Sequence, residues 1–144
     1  MRDLYSNLGV AVLLAAATYA ADNTPAAVDL DGFDSALLAI EVGAGGISFS
    51  NTNKVEFLLT HSDDDSVYEA VTIDDVIGLT AVGAGGIVKT LNSAHAAADV
   101  TLIGYIGNKR YLKLLADFSG THGTGTPLSA LVIKGNARIL PVNT

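Results

Sequence analysis

The sequence predicts an all-β fold, an antiparallel β-sandwich of jelly-roll-like type with at most one or two short helical turns. Short apolar stretches follow one another along most of the chain and are separated by Gly, Asn and Asp, which is typical of sandwiches and barrels. The composition agrees, because 49% of residues are hydrophobic but only 6% are aromatic, with 15 Gly and no Trp. That mixture suits thin, closely packed β-layers. The length of 144 residues fits one domain.

Residues 1–24 form an apolar N-terminal segment that precedes a single sandwich domain at residues 25–144. Arg2, the apolar run 10–17 and the small residues near position 20 resemble a signal peptide. Asp3 cancels the charge of Arg2, however, and the run is shorter than the roughly 18 apolar residues of a membrane span. We therefore expect a strand that is buried on both faces, because its apolar content is nearly continuous. Two placements stay open: an arm that reaches a neighbouring subunit, or the first strand of the chain's own sandwich.

The other apolar stretches are predicted strands. Residues 54–60 show the pattern of a half-exposed strand best. Val55, Phe57 and Leu59 lie on one face, and the opposite face carries Lys54, Glu56 and Thr60. Further strands are predicted at residues 35–42, 67–73, 100–107, 109–118 and 127–142, after a turn at residues 29–34. Two stretches are helical candidates: a single turn capped by Thr72, and residues 91–100, which are rich in Ala but lack an amphipathic face.

The hexapeptide VGAGGI occurs twice, at residues 42–47 and 82–87. Two copies with dissimilar flanks do not make a repeat array. The glycines also lack the GxGxxG spacing of a phosphate-binding loop, and no convincing helix follows either copy. We interpret both as glycine-rich hairpin loops.

The polar stretch HSDDDS at residues 61–66 is the most conspicuous cluster of chemistry-bearing side chains. A calcium-binding EF-hand loop needs alternating ligands, a central Gly and a distant Glu, which are all missing. Neighbouring side chains in extended backbone point to opposite faces, so three adjacent aspartates cannot all reach one ion. We predict a hairpin tip. Asp63 and Asp65 remain weak candidates for Ca²⁺ binding, and we expect no other metal and no cofactor.

The sequence indicates no enzyme. His61, His95 and His122 lie far apart without metal-ligand spacing, although three histidines that converge in the fold or on a threefold axis would suit zinc. Ser, His and Asp are present, but no GxSxG segment marks a nucleophile.

Charge excludes two classes of partner. The net charge is −7 and the eight Lys and Arg residues form no basic stripe, so we expect no nucleic acid and no anionic membrane as partner. Only 16% of residues are charged, against roughly 25% in typical soluble domains. Such a surface is typical of an assembled protein whose neighbours cover part of it.

Three segments together resemble a group of small structural proteins of tailed bacteriophages. They are VDLDGFDS at residues 28–35, HSDDD at residues 61–65 with an aromatic residue after it, and YIGNKRY at residues 105–111, followed by a late apolar strand. The likeness extends from about Val28 to Pro141, and it departs from the pattern at Asp65, where Gly is expected. Discoidin-type and carbohydrate-binding jelly rolls are also similar in the SDD and RY segments, which supports the sandwich but not sugar binding.

The resemblance implies a virion structural protein, most specifically a capsid decoration or cement protein on the outer surface of the shell. The expected partners are the major capsid protein and further copies of the chain, with a trimer as one option. Residues expected to contact a partner are Leu4, Tyr5, Leu8, Val10, Val12 and Leu14. The alternatives are a head–tail connector or tail protein, and a carbohydrate-binding module for host attachment.

Overall fold

In the described part of the chain, ten strands form two antiparallel sheets that pack face to face. The structure is a computed structural model and describes residues 3–95 and 97–142. The strands are β1 Gly9–Tyr19, β2 Val28–Asp29, β3 Phe33–Val42, β4 Lys54–Ser62, β5 Glu69–Ala70, β6 Val76–Ile77, β7 Ile87–Leu91, β8 Asp99–Tyr105, β9 Tyr111–Ser119 and β10 Thr126–Ala137. The first sheet has the order β1-β10-β3-β8-β6. The second has the order β2-β9-β4-β5, and β7 also pairs with β4.

The strand pairing is nested. Strand β1 pairs with β10, β2 with β9, β3 with β8, and β4 with β7, each time antiparallel. Early strands therefore pair with late ones, as in a long hairpin that has been rolled up, which is the arrangement of a jelly roll. The predicted all-β sandwich is confirmed.

The core lies between the two sheets and follows the alternation of the strands. Val55, Phe57 and Leu59 on β4 are fully buried, and Leu38 and Ile40 on β3 face them from the first sheet. The predicted alternation at residues 54–60 is confirmed, because Lys54, Glu56 and Thr60 lie on the outer face, together with Leu58.

Short turns account for all helical structure in the described residues. Tyr5–Asn7 and Ile73–Asp75 are single 3-10 turns. Thr72 begins the second turn, as predicted, but its hydroxyl and its amide both donate to Asp75 Oδ2 at 2.8 Å, and the Asp75 amide bonds the Thr72 carbonyl oxygen instead of the Thr72 side chain. Residues 91–95 and 97–100 form no helix; Ala96 lies outside the described residues.

Both copies of the glycine-rich hexapeptide contain loops, but only one of the two predicted hairpins forms. Residues 43–47 lead from β3 to β4 in the other sheet, so the hairpin predicted there is wrong. Residues 83–86 form a tight turn in which the Gly83 amide donates to the Ile87 carbonyl oxygen at 2.8 Å.

The N-terminal apolar run forms β1, an edge strand of the first sheet. It pairs with β10 from Gly9 to Tyr19, so the structure shows the second of the two placements left open by the sequence. The expected burial on both faces is wrong, because Val10 and Val12 are each 58% exposed. Within residues 3–95 and 97–142, no helix is long and apolar enough to cross a membrane.

Candidate functional site

The outer face of the first sheet is apolar. Successive side chains of a strand point to opposite sides of the sheet, so the residues that alternate with the core positions point outward. Nine of these make up what we call the apolar face: Val10, Val12, Leu37, Ala39, Ile77, Val100, Leu102, Leu131 and Ile133. Six of them are between 40% and 58% exposed: Val10, Val12, Ile77, Val100, Leu102 and Leu131.

Strand register joins these residues into continuous rows. One row runs Val10, Ile133, Leu37, Gly104 and Ile77, and the next runs Val12, Leu131, Ala39 and Leu102. Gly104 leaves no gap, since a Cβ there would lie only 2.5 Å from the Ile77 side chain. Five strands about 4.8 Å apart, with rows about 7 Å apart, give the face an area of roughly 400 Å².

The outer face of the second sheet is mostly polar, although Leu58 and its register partner Leu115 lie half-buried in it. Lys54 and Glu56 form an ion pair there at 2.8 Å, and Lys113 and Asp117 lie on the adjacent strand β9. This is the ordinary surface of a sandwich in water. The two outer faces of the molecule therefore differ, and only that of the first sheet has the composition of a surface that is normally covered.

Glu41 is the one charged side chain among the outward-facing strand residues that the structure describes in the first sheet. It follows Leu37 and Ala39 on the same side of β3, and the Ser129 hydroxyl on β10 donates to its Oε2 at 3.1 Å. A shallow cleft of about 350 Å³ opens beside it at the end of the apolar face.

The residues expected to contact a partner fall into three groups. Leu4 and Tyr5 are 66% and 80% exposed, and Val10 and Val12 belong to the apolar face. Leu8 is half-buried. Leu14 is only 3% exposed and packs in the core, because a register shift after Val12 turns it inward. In this fold Leu14 has no surface to offer a partner, while contact by the others stays a prediction.

The free edge of β1 is irregular. Its register against β10 shifts twice, between Val12 and Leu14 and again between Leu14 and Ala17. Bulges twist an edge strand and hinder pairing with another strand. The regular surface next to this edge is the apolar face, so the face is better suited than the edge to bind another molecule.

The HSDDDS stretch ends strand β4 and enters the loop of the β4–β5 hairpin, so the predicted hairpin tip is confirmed. Asp64 organises it, because its Oδ1 accepts hydrogen bonds from the amides of Ser66 and Val67 at 2.9 and 3.0 Å. Those amides lower the pKa of the Asp64 carboxyl. Asp65 takes the left-handed conformation with φ 57°, which Asp tolerates where the family resemblance expects Gly.

Asp63 and Asp65, the two weak candidates for Ca²⁺ binding, lie next to two different lysine side chains. Asp63 lies 3.1 Å from Lys109 Nζ, and Asp65 lies 3.7 Å from Lys113 Nζ. In the described part of the chain, no three His, Cys, Asp or Glu side chains are grouped so that they could hold a metal ion. Calcium binding at this loop stays an untested prediction.

His61 is a buried anchor of the same loop. It is 4% exposed, and its Nδ1 lies 3.0 Å from the hydroxyl of Tyr105 on β8. Desolvation lowers the pKa of His61, although Asp75, Glu69 and Asp63 oppose this effect. Neutral His61 can then accept a hydrogen bond from the Tyr105 hydroxyl through Nδ1, which ties the loop to the first sheet.

The three segments that carry the phage resemblance meet at one end of the sandwich. Arg110 donates to both carboxylate oxygens of Asp29 at 2.8 and 2.7 Å. His61 meets Tyr105, and Lys109 meets Asp63, as described above. These residues bond one another and hold three turns together, so their role here is structural. Sequence reasoning treated the segments separately and missed this convergence.

The other two histidines lie beside Phe49. Its ring centroid is 5.7 Å from that of His95 and 6.4 Å from that of His122. The Nε2 atoms of the two histidines each donate to a backbone carbonyl oxygen at 2.8 Å, that of Gly43 and that of Ser119. His61 contacts Tyr105 instead, and the structure shows no three-histidine site within residues 3–95 and 97–142.

A larger cleft, about 410 Å³, lies where the motif segments meet. Its arginines already have carboxylate partners: Arg138 pairs with Asp34 of the cleft at 2.8 Å, and Arg110 pairs with Asp29 outside the cleft. Such a site offers an incoming ligand few groups to bind.

Comparison with known proteins found no matching family model, no similar curated protein and no similar solved structure.

Proposed function

We propose that this protein is a structural subunit that binds a larger assembly through the apolar face. The motif resemblance supports a specific assembly, the shell of a tailed bacteriophage, on whose outer surface the chain acts as a capsid decoration protein bound to the major capsid protein. The observation that carries the proposal is the continuous apolar surface across all five strands of the first sheet.

The size of the face sets the strength of one contact. Burying roughly 400 Å² of apolar surface contributes about 10 kcal/mol before costs. Association itself costs about 4–15 kcal/mol, and a standard interface buries about 800 Å² per partner. A single copy therefore binds weakly through this face alone. Many copies on one shell, or an oligomer with several faces, bind more tightly through avidity.

The charge of the chain supports an outer position. A net charge of −7 would be repelled by packaged DNA inside a shell. The apolar face carries none of that charge, and so it can approach a partner without like-charge repulsion at the contact.

The test is binding of the purified chain to shells prepared without it, followed by cryo-electron microscopy of the complex. We expect many copies across the icosahedral surface, with the first sheet against the shell. Copies confined to one vertex or to the tail would instead make this a connector or tail protein. No binding to any part of the particle would refute the proposal and return glycan attachment to consideration.

A matched pair of variants tests the face. Val12→Asp places a charge on the apolar face, whereas Val67→Asp makes the same change in the β4–β5 loop, where Val67 is 74% exposed. We expect Val12→Asp to weaken shell binding at least about tenfold, since a buried unpaired charge opposes docking. Val67→Asp should bind like the wild type. Equal binding by both variants would exclude the apolar face as the contact.

A further inference from the structure

We propose that the surface covered by the apolar face presents a Lys or Arg side chain that enters the cleft beside Glu41. This inference rests on the proposed function, since it names the chemistry of the partner at the same face. Glu41 is a carboxylate at the border of an otherwise apolar surface.

Glu41 continues the apolar face as a third row. Its register partners are Ser129 on β10 and Val100 on β8, and Val100 is 57% exposed. A partner that covers the Leu102 and Leu131 row therefore also reaches Val100 and comes up against the Glu41 carboxylate. The Ser129 hydroxyl bonds Oε2 only.

The cleft beside Glu41 suits a long side chain with a charged end. Apart from Glu41 its lining is uncharged and mostly small: Ala16, Ala17, Thr18, Gly43, Pro127, Leu128 and Ser129. Gly43 keeps the wall thin, because its backbone packs directly on Pro127, where a Cβ would lie 2.7 Å from the ring. Lys and Arg place apolar stems against such walls while the charged head meets an acceptor.

The loss of water from Glu41 on docking explains why the partner must supply a positive charge. Docking removes water from Glu41, and a carboxylate that loses water without gaining a cation opposes binding. With a Lys or Arg opposite, the same carboxylate becomes a charge-assisted contact that also fixes the orientation of the partner. The net charge of −7 attracts a basic surface at longer range.

The direction in which Glu41→Gln changes the binding affinity tests the inference. Glu41→Gln keeps the size of the side chain and an oxygen for Ser129, and Glu41 is exposed in the free chain, so folding should not change. We expect Glu41→Gln to bind undecorated shells at least about tenfold more weakly than wild type. The variant should also lose part of the salt dependence of binding. Equal or tighter binding by Glu41→Gln would overturn the inference, because it would mean that the carboxylate meets no cation.

Two further variants separate the possible failures. Glu56→Gln makes the same change on the polar outer face of the second sheet and should bind like the wild type; weaker binding would mean that the loss is not specific to the cleft. Glu41→Lys should bind more weakly than Glu41→Gln, and tighter binding would indicate an acidic partner instead. If the wild type does not bind shells at all, the proposed function fails. If it binds and only the Glu41→Gln result is contrary, the cation inference alone fails.

Discussion

The contact between His61 and Tyr105 gives a prediction whose magnitude follows from the structure. Tyr105→Phe removes the hydroxyl that lies 3.0 Å from His61 Nδ1 and that accepts a hydrogen bond from the Lys109 amide at 3.2 Å. Both side chains are buried, at 4% and 3% exposure. Leaving a buried polar atom unpaired costs about 1–3 kcal/mol. For a domain of this size that corresponds to a fall of about 2–12 °C in Tm.

The assay is urea unfolding at pH 7.5 of the wild type, Tyr105→Phe, His61→Phe and the double variant. The double variant removes both partners of the His61–Tyr105 hydrogen bond, so its loss should be smaller than the sum of the two single losses, although the Lys109 amide still lacks its acceptor. We expect a coupling energy of at least about 0.5 kcal/mol between the two sites. Additive losses would refute the claim that this hydrogen bond anchors the loop.

The pH dependence has a definite sign. Because burial lowers the pKa of His61 in the folded state, the unfolded chain takes up the proton first as the pH falls below about 6.5. The wild type should therefore lose stability between pH 7 and pH 5.5, and His61→Phe should lose less over the same interval. An equal slope in both proteins would contradict the assignment of a neutral, buried His61.

Two further predictions concern the loops. Gly85→Ala and Gly86→Ala both force alanine into positive φ, at 75° and 86°, which costs about 1–2 kcal/mol. Gly86→Ala also brings Cβ to 2.4 Å from the Leu59 carbonyl oxygen, so it should cost at least about 1–3 kcal/mol more in urea unfolding; equal costs would contradict this close approach. Asp64→Ala should lower the urea midpoint more than Asp63→Ala, because Asp64 bonds two backbone amides, whereas Asp63 makes an exposed ion pair with little effect. The reverse order would contradict the role of Asp64 in the turn.

Local features of the fold could be predicted from the sequence because they depend on nearest neighbours. The alternation of Val55, Phe57 and Leu59 marked a strand with one buried face, and Thr72 marked the start of a capped turn. The hairpin tip at residues 61–66 followed from the preference of Asp for turns. Each of these signals involves residues within a few positions of each other.

The pairing of distant residues could not be predicted in this way. Asp29 and Arg110 are 81 positions apart, and His61 and Tyr105 are 44 apart. No signal in the local sequence predicts that β2 pairs with β9 or that β4 pairs with β9. These pairings bring the motif segments together. The convergence is a property of the jelly-roll topology.

Strand β1 shows most clearly what the sequence determined and what only the tertiary structure decided. The sequence alone determined that residues 10–17 form an apolar strand that is unfavourable to leave in water on either side. Only the tertiary structure decided which side this chain covers: Leu13 and Leu14 turn into the core, while Val10 and Val12 stay exposed on the outer face. A continuous run of apolar residues indicates that both faces of the strand are more stable when they are covered. It does not indicate what covers them, because the hydrophobic effect depends on the apolar area removed from water and not on the identity of the covering group. The arrangement of the strands in the fold is needed to tell whether a face of β1 is covered by the same chain or is left for another molecule.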